Sequence, residues 1–192
     1  MAGHISGMAI LKIARMGHPI LRARAEPVAD PTAAEIRRLV ADMLETVPEA
    51  GGTGLAAPQV HVGKRILVFM VGPDRLTGRP LDQTQDWTVL INPVIEPETD
   101  EIELGWEGCL SVPGLRGAVP RWTRIRYRGT DADGKPIDRI VEGFHARVVQ
   151  HESDHLDGIL YPQRMIDMRL LQFNEEAMRF PIQLPGASVA DE

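Results

Sequence analysis

The stretch QHESDHLDG, residues 150–158, places two histidines four positions apart, with a glutamate directly after the first. The run from about residue 144 to 156 has helical periodicity, so His151 and His155 are expected one turn apart on one face of a helix. Two imidazoles in this arrangement can bind one metal ion, and Glu152 can approach a water molecule on that ion without binding the ion itself. The stretch therefore predicts a hydrolytic metal centre carried on a central helix.

A catalytic site with three protein ligands needs one more donor from another part of the chain. The candidate is Cys109 in EGCLSVP, residues 107–113, the only cysteine of the protein. A free cysteine is often just a small buried apolar residue, but here Pro113 and the following glycine break the chain soon after it. A thiolate and two neutral imidazoles leave one tetrahedral position open for water, which is typical of catalytic sites. His145 is left out because it lies six residues before His151, on a different side of the helix.

The remaining chain predicts further helices and strands around this centre. A helix is expected after Asp30-Pro31-Thr32, where Asp30 or Thr32 can cap it, with an apolar stripe that ends near Pro48. Apolar, β-branched or alternating runs predict strands at 65–71, 87–96, 101–105 and within 121–142, and a second helix is predicted at 164–178. We therefore expect an α+β fold in which antiparallel or mixed β-sheets pack around a central metal-binding helix, with an N-terminal and a C-terminal helix. Residues 1–192 are expected to form a single catalytic domain with flexible termini at 1–9 and 182–192.

The composition excludes several classes of protein. A net charge of −6 argues against a protein that coats nucleic acid, and we expect no direct DNA binding. A single cysteine cannot form an internal disulfide, and no apolar run approaches the length of a membrane span. A cytoplasmic location is therefore the expectation.

A second unusual stretch is GGTGLAAPQV, residues 51–60, which places Gln59 after a run of glycines and alanines. The run does not continue into the Gly-Lys-Ser/Thr of a P-loop, and it lacks the spacing of a dinucleotide-binding loop. A phosphate site is therefore not predicted here.

Together, GGTGLAAPQV, EGCLSVP and QHESDHLDG resemble, in order and separation, the three signature segments of the peptide deformylases. The resemblance extends from about Leu11 to the second predicted helix. It implies removal of the formyl group from the N-terminal formylmethionine of newly made bacterial or organellar polypeptides, with at most a transient ribosome contact. It also implies that Cys109, His151 and His155 bind a divalent metal, ferrous iron in the cell, with nickel, cobalt or zinc able to occupy the same site. Glu152 would be the general acid/base.

The same resemblance assigns residues that bind the substrate. The side-chain amide of Gln59 and the backbone N–H of Leu110 would stabilise the oxyanion of the tetrahedral intermediate. The carbonyl of Gly54 would bind the substrate's own amide. Thr53 stands where the family usually has isoleucine or valine, near the expected methionine pocket. Further assignments are Arg116 at the substrate cleft and Arg121 with Asp154 as a pair that braces the metal helix. Val148 is expected to line the apolar methionine pocket, because it lies one helical turn before His151 and Glu152.

Two alternatives from other classes remain open. A zinc metallopeptidase predicts a third ligand downstream of the helix, where only Asp157, Asp167 and Glu175 are candidates. A non-catalytic module with a structural metal predicts a fourth protein ligand and has no need for Gln59.

Overall fold

The computed structural model describes residues 9–184 and contains, within that range, three α-helices and eight β-strands. The helices are α1 (Ala34–Glu49), α2 (Gly143–Leu156) and α3 (Asn174–Arg179). The strands, in chain order, are β1 (Gly54–Ala56), β2 (Ile66–Val71), β3 (Gln85–Pro97), β4 (Ile102–Cys109), β5 (Val112–Trp122), β6 (Arg124–Thr130), β7 (Pro136–Glu142) and β8 (Gln172–Phe173). The predicted α+β class is confirmed.

The larger sheet has five antiparallel strands in the order β1-β2-β3-β6-β7, and helices cover both of its faces. Successive residues of a strand point to opposite faces. In β2, Ile66 and Val68 pack in one buried cluster with α1, whereas Leu67 and Phe69 pack in another with α2. Burial on both faces explains why residues 65–71 form a continuous apolar run instead of an alternating one.

The smaller sheet has three strands in the order β4-β5-β8, and β4 ends at Cys109. The helix α2 contacts β1 and β2 of the larger sheet and β5 of the smaller one. The central helix is therefore held between the two sheets, as predicted, and this places the end of β4 beside it.

The predicted helix at 164–178 is wrong. Residues 168–170 form a 3₁₀ turn, β8 follows, and α3 begins only at Asn174 and has six residues. Leu171 packs against the buried cluster beneath the smaller sheet, and Gln172 and Phe173 pair with β5. Because this backbone bonds to a neighbouring strand, a long helix cannot form there.

The expected chain break after Cys109 is also wrong. A tight turn leads from β4 directly into β5, which continues through Pro113 and Pro120. Proline lacks a backbone N–H, so a strand tolerates it at positions where that N–H would face no neighbouring strand. Because β8 pairs only with Leu115 and Arg116, both prolines lie where one side of β5 has no neighbouring strand.

The predicted capping of the first helix by Asp30 or Thr32 is wrong. α1 begins after Ala33 and no side chain caps it. The carboxylate of Asp30 instead accepts hydrogen bonds from the backbone N–H and the hydroxyl of Thr32, which forms a separate turn before the helix. Pro48 lies inside the last turn of α1 and does not end it.

Two expectations concern the ends of the chain and its relation to membranes. Most of the flexible termini predicted at 1–9 and 182–192 lie outside the described residues. Between residues 9 and 184, no helix has both the length and the apolar character needed to cross a bilayer.

Candidate active site

The structure brings Cys109, His151 and His155 together. β4 carries Cys109 to its end and α2 carries both histidines, and the three potential ligand atoms lie within 4.8 Å of one another. Cys109 Sγ is 3.4 Å from His155 Nε2, and the two imidazole rings are perpendicular, with centroids 5.0 Å apart. Residues 46 positions apart in sequence therefore converge on one point.

Glu107 orients His151 from behind. His151 Nδ1 lies 2.8 Å from a carboxylate oxygen of Glu107, and because a carboxylate can only accept, Nδ1 carries the proton and Nε2 is left as the ligand atom. Buried Glu107 also accepts two hydrogen bonds from Arg121, at 2.9 and 3.0 Å, and one from Arg147 at 2.9 Å. Arg121 Nη1 also donates a hydrogen bond to Asp154 Oδ2 at 2.6 Å. This ion-pair network ties β4 and β5 to the helix that carries the histidines.

The charges at the cluster favour a bound cation. Burial alone would raise the pKa of Cys109, but the charges of His155 and His151 and their hydrogen bonds outweigh it and lower that pKa well below its usual value. Burial alone would lower the pKa of His151, but its hydrogen bonds with Cys109 and Glu107 raise it well above the usual value. A thiolate and a carboxylate thus hold positive charge at His151, and a metal cation would replace that proton. One thiolate and two imidazoles also suit a transition metal or zinc.

Glu152 lies on α2 directly after His151 and packs against β1. A Cβ atom added to Gly54 would lie 2.3 Å from Glu152 Oε1, so this space is open to the carboxylate only because residue 54 is glycine. Burial raises the pKa of Glu152 to about 7, against the opposing positive charges of His151 and His155. A carboxyl group with this pKa can take up and release a proton near neutral pH.

Gln59 approaches the cluster from the 3₁₀ turn that follows β1. Its Nε2 lies 3.5 Å from Cys109 Sγ and donates to Ser111 Oγ at 3.1 Å, while its Oε1 accepts from the backbone N–H of Ala56 at 2.8 Å. The side-chain amide is therefore next to the candidate ligands and is held at both ends.

A cavity of about 450 Å³ opens onto the cluster. Predicted site residues that line it are Thr53, Gly54, Gln59, Cys109, Leu110, Val148, His151 and Glu152. Arg116 does not line it: its guanidinium lies 4.7 Å above the ring of Trp106, which does. His155 lies behind the wall, and His145 packs away from the site against Phe69 and Tyr127. A larger depression of about 980 Å³ between the N-terminal segment and α1 is lined by none of the candidate metal ligands.

Sequence reasoning assigned no role to Glu107, Ser111, Arg147 or Arg164. Arg147 and Arg164 complete the ion-pair network through Glu107 and Asp154. A signal for Glu107 was present, because residues two apart on a strand share a face and Glu107 lies two before Cys109. It was missed because the predicted strand ended at residue 105, whereas β4 continues to Cys109.

The comparison with protein families decides the identity. The family model of polypeptide deformylases matches residues 10–170, which include the candidate ligands, Gln59 and Glu152. This chain belongs to the peptide deformylase family.

Curated relatives of this deformylase match along almost their whole length. The chain is 53% identical to peptide deformylase 2 of Ralstonia nicotianae, over 92% of this chain and 97% of that protein. It is 51% identical to peptide deformylase 1 of Bordetella pertussis, over 91% and 97% respectively.

Solved structures of deformylases share the fold. The structure of peptide deformylase from Ehrlichia chaffeensis has a TM-score of 0.78 at 34% identity and covers 84% of this chain and 90% of that one. The Met-Ala-Ser-bound class I type b deformylase from Acinetobacter baumannii has a TM-score of 0.74 at 35% identity and covers 83% and 100%.

The deformylase is a metal-dependent hydrolase that removes the N-formyl group from the N-terminal formylmethionine of newly made polypeptides. The two alternatives are not favoured. Within residues 9–184, the candidate metal group contains neither an acidic residue downstream of α2 nor a fourth protein ligand.

Proposed function

We propose that Cys109 Sγ and the Nε2 atoms of His151 and His155 bind the catalytic metal ion of this deformylase. The observation that carries the proposal is the convergence of these three donors beside a cavity that Cys109 and His151 line, next to a buried glutamate. Ferrous iron is the proposed ion in the cell, and nickel, cobalt or zinc can take its place, because the donor set alone does not select among them. When bound, the ion polarises the formyl carbonyl and lowers the pKa of a coordinated water from ~15.7 toward ~7.

Glu152 is the proposed general acid/base. Its carboxylate accepts a proton from the attacking water and later donates it to the departing amine, as one carboxyl group can do in both directions. Its burial and its pKa of about 7 support this role.

Gln59 and Leu110 are the proposed oxyanion donors. The Gln59 amide lies beside Cys109, and both proposed donors, Gln59 and Leu110, line the cavity. We propose that the Gly54 carbonyl accepts the substrate's N–H, that Val148 and Thr53 line the pocket for the methionine side chain, and that Arg116 acts at its outer edge through Trp106. The lining positions of Gly54, Val148 and Thr53 support these assignments.

The cellular setting is part of the same proposal. We propose a single catalytic domain that acts in the cytoplasm on formylmethionyl nascent chains and contacts the ribosome only transiently. The net charge of −6 supports a weak contact, because tight binding to RNA needs a basic surface.

The direct test is formate release from formyl-Met-Ala-Ser by the metal-loaded protein. Glu152→Gln should keep its metal and lose activity, whereas Cys109→Ala should lose metal as well. Gln59→Ala should stay folded and lose about 10²- to 10³-fold in kcat, the usual cost of one oxyanion donor. Metal-loaded wild-type protein without deformylation would refute the proposal.

Exposure to air tests the identity of the metal. Ferrous iron beside a thiolate is prone to oxidation, so the iron form should lose activity in air while the nickel form keeps it. Equal lifetimes of the two forms would contradict iron as the native metal.

A further inference from the structure

The backbone just after Leu11 connects the two segments that carry the proposed oxyanion donors. The N–H of Ala14 donates to the carbonyl of Gln59 at 2.7 Å, and the N–H of Met16 donates to the carbonyl of Ser111, also at 2.7 Å. Ser111 directly follows Leu110 in the sequence. One short segment, residues 14–16, therefore holds the turn with Gln59 and the turn with Leu110 side by side.

A side-chain hydrogen bond joins the same two turns. Gln59 Oε1 accepts from the N–H of Ala56, so the Nε2 end of the amide must face the other way. One N–H of Nε2 donates to Ser111 Oγ at 3.1 Å, and Cys109 Sγ lies 3.5 Å from the same nitrogen. Ser111 Oγ thus accepts a hydrogen bond from one N–H of the amide, and the second N–H is directed at Cys109 Sγ, one of the proposed metal ligands.

Both partners of this hydrogen bond are shielded from water. The exposed fraction is 1% for Gln59 and 0% for Ser111. If the buried Ser111 hydroxyl were removed, water could not readily replace it as the acceptor, so the Gln59 amide would reorient or stay unpaired. Ser111 does not line the substrate cavity, and it can influence the reaction only through its neighbours.

We propose that Ser111 is a positioning residue that fixes the direction of the Gln59 amide, and that residues 14–16 hold the two oxyanion donors in register. The inference rests on the proposed role of Gln59. Donors that are fixed before the reaction need no reorganisation in the transition state, so their loss lowers kcat more than it changes substrate binding.

A double-mutant cycle tests the role of Ser111. The variants are Ser111→Ala, Gln59→Ala and the double variant, each loaded with Ni²⁺ and assayed on formyl-Met-Ala-Ser per bound metal. Ser111→Ala should lower kcat about tenfold with KM unchanged, and the double variant should match Gln59→Ala. Wild-type kcat in Ser111→Ala, or independent losses that multiply in the double variant, would overturn the inference.

The single variants separate this inference from the proposed function. If Gln59→Ala loses kcat while Ser111→Ala does not, only the inference fails. If Gln59→Ala keeps wild-type kcat, the proposed role of Gln59 fails and the inference falls with it.

A second readout does not depend on activity. In Zn²⁺-loaded, ¹⁵N-labelled protein, the side-chain amide signal that disappears in Gln59→Ala should shift in Ser111→Ala. Ser153→Ala is the matched control, since it removes a buried serine hydroxyl that lines a separate cavity behind α2. An unshifted signal in Ser111→Ala, or an equal shift in both variants, would contradict the inference.

A proline substitution tests the backbone segment. Met16→Pro removes the backbone N–H that donates to the carbonyl oxygen of Ser111. Met16→Ala removes the same exposed side chain and keeps that N–H. We expect kcat of Met16→Pro to be several-fold below that of Met16→Ala. Equal kcat values would show that residues 14–16 do not help to position the two oxyanion donors.

Discussion

Gly54 is the residue at which one added carbon atom would disturb the site most. An added Cβ at Gly54 would lie within 2.8 Å of Glu152 Cγ, Cδ and Oε1. The missing side chain makes room for the proposed general acid/base itself.

Gly54→Ala should therefore displace Glu152 and lower kcat by about 10²-fold, since displacements of about 1 Å can have this effect on a catalytic group. Steady-state kinetics of the metal-loaded variant would measure the loss. Gly63→Ala is the control, because a Cβ added at Gly63 meets no atom within 4 Å. Near-normal kcat in Gly54→Ala would show that Glu152 is not held in this position.

Glu107 is the side chain that joins the proposed metal ligand His151 to the buried ion-pair network. It accepts hydrogen bonds from His151, Arg121 and Arg147. Burial alone would raise its pKa, but the hydrogen bonds and charges of His151 and Arg121 outweigh burial and hold that pKa well below the usual value. The ionised carboxylate fixes the His151 ring and makes its free nitrogen a better ligand.

Glu107→Gln should weaken metal binding about 10- to 100-fold, the usual effect of removing a partner that orients a ligand. Competition with a chelator of known affinity measures this change. Glu103→Gln, on the same strand but in an exposed pair with Arg79, should bind metal like wild type. Equal metal affinity for both variants would contradict the orienting role.

At the scale of elements, α2 depends on a cap from a distant loop. No residue next to the helix caps it, but the Asp82 carboxylate accepts hydrogen bonds from the N–H groups of Phe144 and His145 in its first turn. Gly143 has φ +58°, and a Cβ there would lie 2.3 Å from an Asp82 oxygen. The loop before β3 therefore packs directly on the start of α2, which carries the proposed histidine ligands.

Asp82→Ala should lower the free energy of unfolding by about 1 to 2 kcal/mol, because it leaves the first N–H groups of a buried helix end without an acceptor. Urea denaturation provides the measurement. Asp74→Ala removes an exposed carboxylate from the same loop and should change stability by less than about 0.5 kcal/mol. A change of that small size in Asp82→Ala would show that α2 does not rely on this cap.

At the scale of the whole molecule, His145 links folding to pH. It lies in the first turn of α2 and is buried against Phe69 and Tyr127 of the larger sheet, and burial, together with the charge of Arg139, lowers its pKa from 6.5 to about 4. Between these values the unfolded chain binds a proton that the folded protein does not. Above pH 6.5 the neutral His145 does not reduce the free energy of unfolding. As the pH falls toward 4, the difference in proton binding lowers that free energy by about 3 kcal/mol in total.

His145→Phe should flatten the dependence of unfolding free energy on pH between 6.5 and 4. Urea denaturation at several pH values, at constant metal loading, would show wild type losing stability relative to His145→Phe as the pH falls from 6.5 to 4. His61→Asn, at an exposed histidine, is the control. Parallel curves for wild type and His145→Phe would show that another group causes the acid sensitivity.

Local sequence predicted the elements whose pattern is strong over a short range. The spacing of His151 and His155 on a periodic run predicted α2, and the apolar run at 65–71 predicted β2, because helix and strand periods are properties of neighbouring residues. The three signature segments indicated the family and the set of candidate site residues. That part needed no knowledge of packing.

Only the tertiary structure decided how those residues are held. The network around Glu107, the bond between Gln59 and Ser111, the Asp82 cap and the pairing of β8 with β5 all join segments far apart in the chain. No local pattern encodes such contacts, so the predicted helix at 164–178 gave way to strand pairing and packing. The sequence by itself determined which chemical groups and local elements this protein has, and long-range packing decided their positions, because only the folded chain brings distant backbone and charges within bonding distance.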